Sequence, residues 1–318
     1  MNINNILIFG CVLFIYMHVY YHLKVSDDLE IYTIEQPSKE KLEEICDLRQ
    51  PVIFEYPNEH ILDTINRSSL LGTYGGYDIK LRDLEIDPST DVELYIPMTL
   101  TSAYDNIEKD TTSRLLLEKN SDFLDETGLV KSFRYNDTLI KPSMVSNCMY
   151  DVSMASTATR TPLRYEVNYR HFILVTEGSI KIKLSSPMHT KHLYREIDYE
   201  NFEFRSPVNP WDVQSKYKAY FDKIKCLDIT VPKGHMFYIP AYWWYSIEYG
   251  ADTTLASFRY RTYMNNIAIL PSLVMRVLQG QNIKRHIAPI VQPIEVETAS
   301  PKEKILSKEK ILSKEEGV

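Results

Sequence analysis

From residue 145 to 263 the chain is a series of short runs, alternating or wholly apolar, each closed by turn residues: "NCMYDVSMAS", "TPLRYEV", "HFILVTEG", "SIKIKLSS", "CLDITVPKG", "HMFYIPAYWWYSIEY" and "TTLASFRYRTY". That many strands of this length, punctuated by Gly and Pro, restrict the fold to a sandwich or a closed barrel. A load of 23 tyrosines against 10 glycines fits a compact, aromatic-rich β protein and not a disordered one. At 318 residues the chain holds one large domain or two small ones.

The residues ahead of this region are mixed. "IYTIEQPSKEKLEEICDLRQPVIFEY" predicts an extended piece, a helix from Lys39 to Leu48 capped by Ser38, and a strand in "VIFEY". A further strand is expected in "VELYIPMTL" (92–100), and helix or turns in "TTSRLLLEKNSDFLDETGLV" (111–130), stopped by Gly128. "NNIAILPSLVMRVLQG" (265–280) predicts one closing amphipathic helix, with Pro271 near its first turn or at a kink. From Lys302 the tail repeats "KEKILS". Six residues turn a helix by roughly 600°, so Ile and Leu do not stay on one face and a coiled coil is disfavoured. The tail reads as solvated and charged. The expected division is an anchor over 1–24, a helix and strand part over 25–145, the β core over 146–264, a helix over 265–290 and a disordered tail over 291–318.

The stretch 5–23, "NILIFGCVLFIYMHVYYHL", has no charged residue. As helix it spans about 28 Å, close to the hydrocarbon thickness of a bilayer. Tyr16, His18, Tyr20, Tyr21 and His22 gather toward one end, as in an interfacial belt. A basic n-region and a small-x-small cleavage pattern are both missing, so a retained single-pass anchor is expected over a signal peptide. Lys24, Lys39 and Lys41 follow the segment and no Lys or Arg precedes it, which places the main domain on the cytoplasmic side. The sequons at Asn66 and Asn136 would matter only on a lumenal face. Cys46, Cys148 and Cys226 are scattered, so buried free thiols are expected, not a disulfide framework or a zinc site. A formal charge of −7 and a pI near 5.7 argue against a nucleic-acid partner.

Over roughly residues 31–263 the chain resembles the JmjC-like, cupin-type double-stranded β-helix of Fe(II)/2-oxoglutarate oxygenases. "DLRQPVIF" is similar to the family's opening strand, and "TPLRYE" to its T-P-L-H-x-D. "FILVTEGSIKIKLSSP" is similar to the strand pair with a glycine turn, "SPVNPWDVQSKYKAYFDK" to the linker rich in Pro and aromatics. "VPKGHMFYIPAYWWY" is similar to P-G-D-x-L-F-I-P-x-x-W-W-H. The resemblance implies a mainly β jelly-roll with flanking helices, plus the N-terminal transmembrane helix. It also implies that two histidines and a carboxylate would hold iron.

The matching positions are Arg164, Glu166 and Tyr245. Arginine offers no lone pair, and a phenol with a pKa near 10 is a poor ligand for ferrous iron. No metal is therefore expected. Arg164 and Glu166, two apart on a strand, are expected to pair, with Tyr245 adding a hydroxyl. His171, five residues beyond Glu166, is expected to face away without a bulge, and His189 and His192 to lie in an exposed loop. Thr161 and Lys181 are candidate anion contacts where the family holds its cosubstrate. No cofactor is expected; the alternative is Fe(II) with 2-oxoglutarate. The chain thus reads as a membrane-anchored binding or scaffold protein with an unidentified protein partner. The alternatives are a tethered hydroxylase or demethylase with an atypical centre, and a structural component of a virus particle or organelle membrane, in line with Tyr-, Ile-, Lys- and Asn-rich usage.

Overall fold

The computed structural model describes residues 3–86 and 94–281. The expected tail at 291–318 lies outside them. Helix α1 (Ile3–Leu23) leads the chain and is, among the described residues, the one helix long and apolar enough to cross a membrane. Next come β1 (Tyr32–Ile34), α2 (Lys39–Asp47) and β2 (Val52–Glu55). Ser38 caps α2, its hydroxyl accepting from the Lys41 amide at 3.3 Å, as the sequence predicts. Helices α3 (Glu59–Thr64) and α4 (Arg67–Tyr74) precede β3 (Asp78–Asp83), β4 (Tyr95–Thr99), α5 (Leu100–Lys109) and β5 (Leu115–Leu117). Helices α6 (Ser121–Glu126) and α7 (Val130–Asn136) close this part.

The barrel follows: β6 (Val145–Ala155), β7 (Arg164–Tyr165), β8 (Arg170–Glu177), β9 (Ser179–Ser185), β10 (Glu196–Asp198), β11 (Glu203–Arg205), α8 (Ser215–Phe221), β12 (Cys226–Pro232), β13 (His235–Ile239), β14 (Trp244–Tyr249) and β15 (Thr254–Thr262). Helices α9 (Tyr263–Ala268) and α10 (Leu270–Gly280) end the described chain. Among the described residues the strands form a sheet of nine, β1-β2-β13-β8-β15-β6-β5-β3-β4, and a sheet of six, β10-β11-β7-β14-β9-β12. Within them β13-β8-β15-β6 and β7-β14-β9-β12 are the two four-stranded faces of a double-stranded β-helix.

Three apolar layers hold this together. Ile173, Val175, Phe237 and Leu255 of the large sheet meet Ile182, Leu184 and Ile247 of the small one inside the barrel. The outer face of the large sheet, with Phe172, Leu174, Tyr238 and Phe258, packs under the N-terminal helices through Leu42, Ile61, Leu70 and Phe133. That is why β8 is buried on both faces and reads as a continuous apolar run. Tyr165, Phe204 and Trp244 cover the outside of the small sheet. The adjacent tryptophans therefore serve opposite faces, Trp243 inside and Trp244 outside.

Several sequence expectations need correction. In 111–130 the run "LLL" is strand β5, because pairing with β3 and β6 outweighs its helix propensity. "TPLRYEV" supplies only the two-residue strand β7. The closing helix is two, with Pro271 in the first turn of α10, where its missing N–H costs nothing. Cys46 is buried, but Cys148 and Cys226 are only half-buried; all the cysteines are free. The Asn66 side chain caps α4, accepting from the Ser69 amide at 2.9 Å.

The segment joining α1 to β1 is tied down. Gln50 Nε2 donates to Ser26 Oγ at 2.7 Å and to Asp28 Oδ2 at 3.1 Å, and Ser186 Oγ donates to Asp27 Oδ1 at 2.6 Å.

Two glycines at positive φ show different demands. Gly178 (φ 72°) turns β8 into β9, and a Cβ there would lie 2.8 Å from the Ala251 carbonyl and 2.9 Å from Thr253 Cα. Gly234 (φ 80°) has open space around it. Gly234→Ala is expected to cost about 1–2 kcal/mol, the left-handed backbone alone. Gly178→Ala adds a backbone clash and is expected to cost about twice that. Parallel denaturant titrations check the ratio.

Candidate functional site

The open end of the barrel holds a buried network of charges. Tyr245 on β14 lies directly across from Arg164 on β7. Arg164 Nη2 bonds Glu118 Oε2 at 2.8 Å. Glu118 follows β5 and also accepts from Arg82 of β3 at 2.9 Å and from the Tyr95 hydroxyl at 3.2 Å. Arg82 continues to Glu203 at 2.9 Å, which Lys119 meets at 2.7 Å. On the other side Arg259 of β15 donates through Nε to Glu166 Oε1 at 2.9 Å and lies 3.7 Å from Asp151. Asn168 and Tyr245 complete the Glu166 shell at 2.6 and 3.2 Å.

Arg164 thus pairs with Glu118, not with Glu166 as the strand spacing predicts. Alternation sets the side on which a residue points, but the nearest carboxylate comes from another strand. His171 departs further from expectation. It points inward, with Nδ1 3.8 Å from Glu166 Oε2 and its ring 5.8 Å from that of Tyr245. The expectation assumed one unbroken strand. The chain instead leaves the small sheet after Tyr165 and enters the large one at Arg170, where His171 pairs across from Arg259.

The electrostatics follow from burial set against partners. Burial alone would raise the Glu118 carboxyl, but Arg164 and Arg82 outweigh it and hold it well below the usual range. The same contest at Glu166 is decided by Arg259, with Arg164 adding to it and the Asn168 amide donating to the carboxylate. Burial, helped by Glu166, pushes the Tyr245 phenol up, keeping it protonated. Burial pushes the His171 imidazole down to about 3, so it is neutral and its contact with Glu166 is no ion pair. Neither ring nitrogen has a hydrogen-bond partner.

These residues do not fit a ferrous ion. Arg164 has no lone pair and is committed to Glu118; both oxygens of Glu166 are taken by donors; Tyr245 keeps its proton. Among the described residues no three His, Cys, Asp or Glu side chains come together as a metal-binding group. The cavity between Glu118, Arg164, His171, Tyr245 and Arg259 measures about 10 Å³, barely room for one water. Thr161 and Lys181 do not supply an anion site there. Lys181 points out to solvent beside Glu248, 63% exposed, while buried Ile180 faces inward. The Thr161 hydroxyl is used by the Ile247 amide at 2.9 Å. His189 and His192 lie in a partly buried 3-10 turn at Pro187–His192.

Residues 97–266, more than half of the chain, match the model of a cupin-like domain. The chain belongs to the cupin-like domain family. No curated protein matches it. The matched span of this cupin-like chain begins within β4 and ends within α9, so Glu118, Arg164, Glu166, Tyr245 and Arg259 all lie in it. Sequence reasoning missed Glu118, Arg82, Glu203 and Arg259. One signal was legible: Arg259 and Arg261 alternate in an otherwise apolar strand, which puts two cations on one face.

Outside the network the mouth of the barrel opens into a pocket of about 180 Å³. Arg82, Lys119, Arg164 and Arg259 balance Glu118, Glu166, Glu203 and Asp151. Arg261 and Arg276, which also line this pocket, have no carboxylate partner among the described residues. Both guanidiniums lie 5.3 Å from the Phe202 ring, and Arg261 Nε donates to Asn168 at 2.7 Å. Burial lowers the Arg261 pKa; Glu166 opposes the shift, and Arg276 and Arg259 add to it.

Proposed function

We propose that this cupin-like chain is a membrane-anchored binding protein whose barrel centre performs no oxygenase chemistry. One observation supports this most: the place of the metal is filled by the Arg164–Glu118 and Arg259–Glu166 pairs, packed so that about 10 Å³ remains. A fixed internal cation stands where a mobile one would be needed. Binding then falls to the mouth, where Arg261 and Arg276, with no carboxylate partner among the described residues, favour a ligand that carries a carboxylate or phosphate, such as an acidic segment of a protein partner. The apolar α1 supports the anchor, and the lysines that follow it support a cytoplasmic domain.

The test uses the full chain in detergent, under anaerobic conditions, with Fe(II) and 2-oxoglutarate. Neither stoichiometric iron nor succinate release above a protein-free blank is expected. Tight iron with turnover would overturn the reading in favour of a hydroxylase or demethylase.

A further inference from the structure

This inference rests on the membrane reading of α1. The 21 residues of α1 make about 31 Å of helix, enough for the roughly 30 Å of bilayer hydrocarbon. Its last turns, however, are not free. Phe14, Met17, His18, Tyr21 and His22 recur at helical spacing as one stripe and face a cavity of about 590 Å³ whose far wall includes Met144, Tyr263 and Met264. His22 is buried with its ring 5.0 Å from Tyr169, and the Arg49 guanidinium lies 5.5 Å from the Tyr21 ring. Helix α9 runs beside α1, and α10 beside α9.

The free part, Ile3 to Leu13, is eleven residues, or about 16 Å. That is about half of the hydrocarbon. A helix that uses its whole length in a bilayer must draw the docked surface in with it, by roughly 13 Å, the rise from Phe14 to Leu23.

The exposed surface that would go in is largely apolar, although Glu43, Asp47 and Arg170 also line the cavity beside α1. Met144 is 75% exposed and Tyr263 59%, and on α10 the stripe Leu270, Val274, Val277 and Leu278 is 47–63% exposed. The opposite side of α10 turns to the domain: Leu273 packs on the outer layer of the small sheet and Arg276, the one charged residue of the helix, lies over Phe202. The exposed stripe thus continues the apolar surface of α1 through α9, and charge is kept off it. Lipid is the occupant that covers both.

We propose that α9 and α10 lie in the head-group and upper acyl region of the bilayer that α1 enters, so that the domain is seated in the membrane and not held above it. An interfacial helix with one apolar face has this character.

The test places single tryptophans in the full chain, V277W on α10 and L7W in the free part of α1, reconstituted in phosphatidylcholine vesicles with lipids brominated at different depths. Parent emission is subtracted for Trp211, Trp243 and Trp244. V277W emission is expected to be quenched at least twofold by bromines near the glycerol and less by bromines near the chain ends, with L7W, about 6 Å from the Ile3 end of α1, quenched most by bromines midway along the chains. L278W repeats the measurement should V277W fold poorly. Quenching of L7W without V277W overturns the inference and leaves the anchor standing. Blue-shifted but unquenched V277W means protein covers α10, a second copy or the chain's own C-terminal residues, and overturns it as well. Quenching of neither removes the anchor along with the inference.

Discussion

Glu118→Ala is expected to destabilise the chain by about 3–5 kcal/mol, more than any single surface change. Glu118 is 6% exposed at its side chain and is held by Arg164 and Arg82 together. Its removal leaves Arg82 with Glu203 alone and takes from Arg164 its ion-pair partner among the described residues. Arg164→Ala acts through the same pair and is expected to cost less, because Arg82 still compensates Glu118. Lys80→Ala, which breaks the solvent-exposed pair with Asp122, is the control and is expected to cost under about 1 kcal/mol. Denaturant unfolding of the four proteins in one detergent orders them. Equal midpoints for Glu118→Ala and the control would mean that the network does not hold the barrel.

The second large effect is a pH dependence at His171. Its pKa in the fold, about 3, is below the 6.5 of an unhindered imidazole, because burial disfavours the charged ring. The unfolded chain therefore binds the extra proton first. Stability falls as pH drops from about 6.5 toward 3, by about 1.4 kcal/mol per pH unit from this group. Neither ring nitrogen has a hydrogen-bond partner to lose, so His171→Phe removes the titration and keeps an aromatic ring in place. The variant is expected to gain about 2 kcal/mol on the parent between pH 6.5 and pH 5. Parallel unfolding curves at pH 7.5, 6 and 5 give the difference. A constant offset would mean that His171 does not carry the acid limb.

The barrel was legible in the sequence because its strands are closed by residues with a backbone reason to be there. Gly178 sits at a φ only glycine takes easily, Ser38 starts a helix through its hydroxyl, and Pro271 falls where a helix lacks an amide partner anyway. The positions Arg164, Glu166 and Tyr245 were legible because "TPLRYE" and "VPKGHMFYIPAYWWY" resemble two motifs of the family. Their partners were not. Glu118 precedes Arg164 by a helix pair and a long strand, and Arg259 reaches Glu166 from the opposite sheet. Such pairings are decided by how the sheets face each other, and no spacing along the chain encodes that. The strand β5 was missed for a similar reason: three leucines carry no period, and only their neighbours β3 and β6 make them a strand.

The hydrogen bonds of Ser26, Asp27 and Asp28 bear on how such a protein would catch its ligand. Eight unconstrained residues between α1 and β1 would let a domain wander over roughly 15 Å. Pinned to Gln50 and Ser186, they act as a bracket and not a leash. The barrel mouth keeps one heading relative to α1, so under the proposed function the frequency of capture would be governed by the angle at which a partner arrives and not by the volume the domain can search.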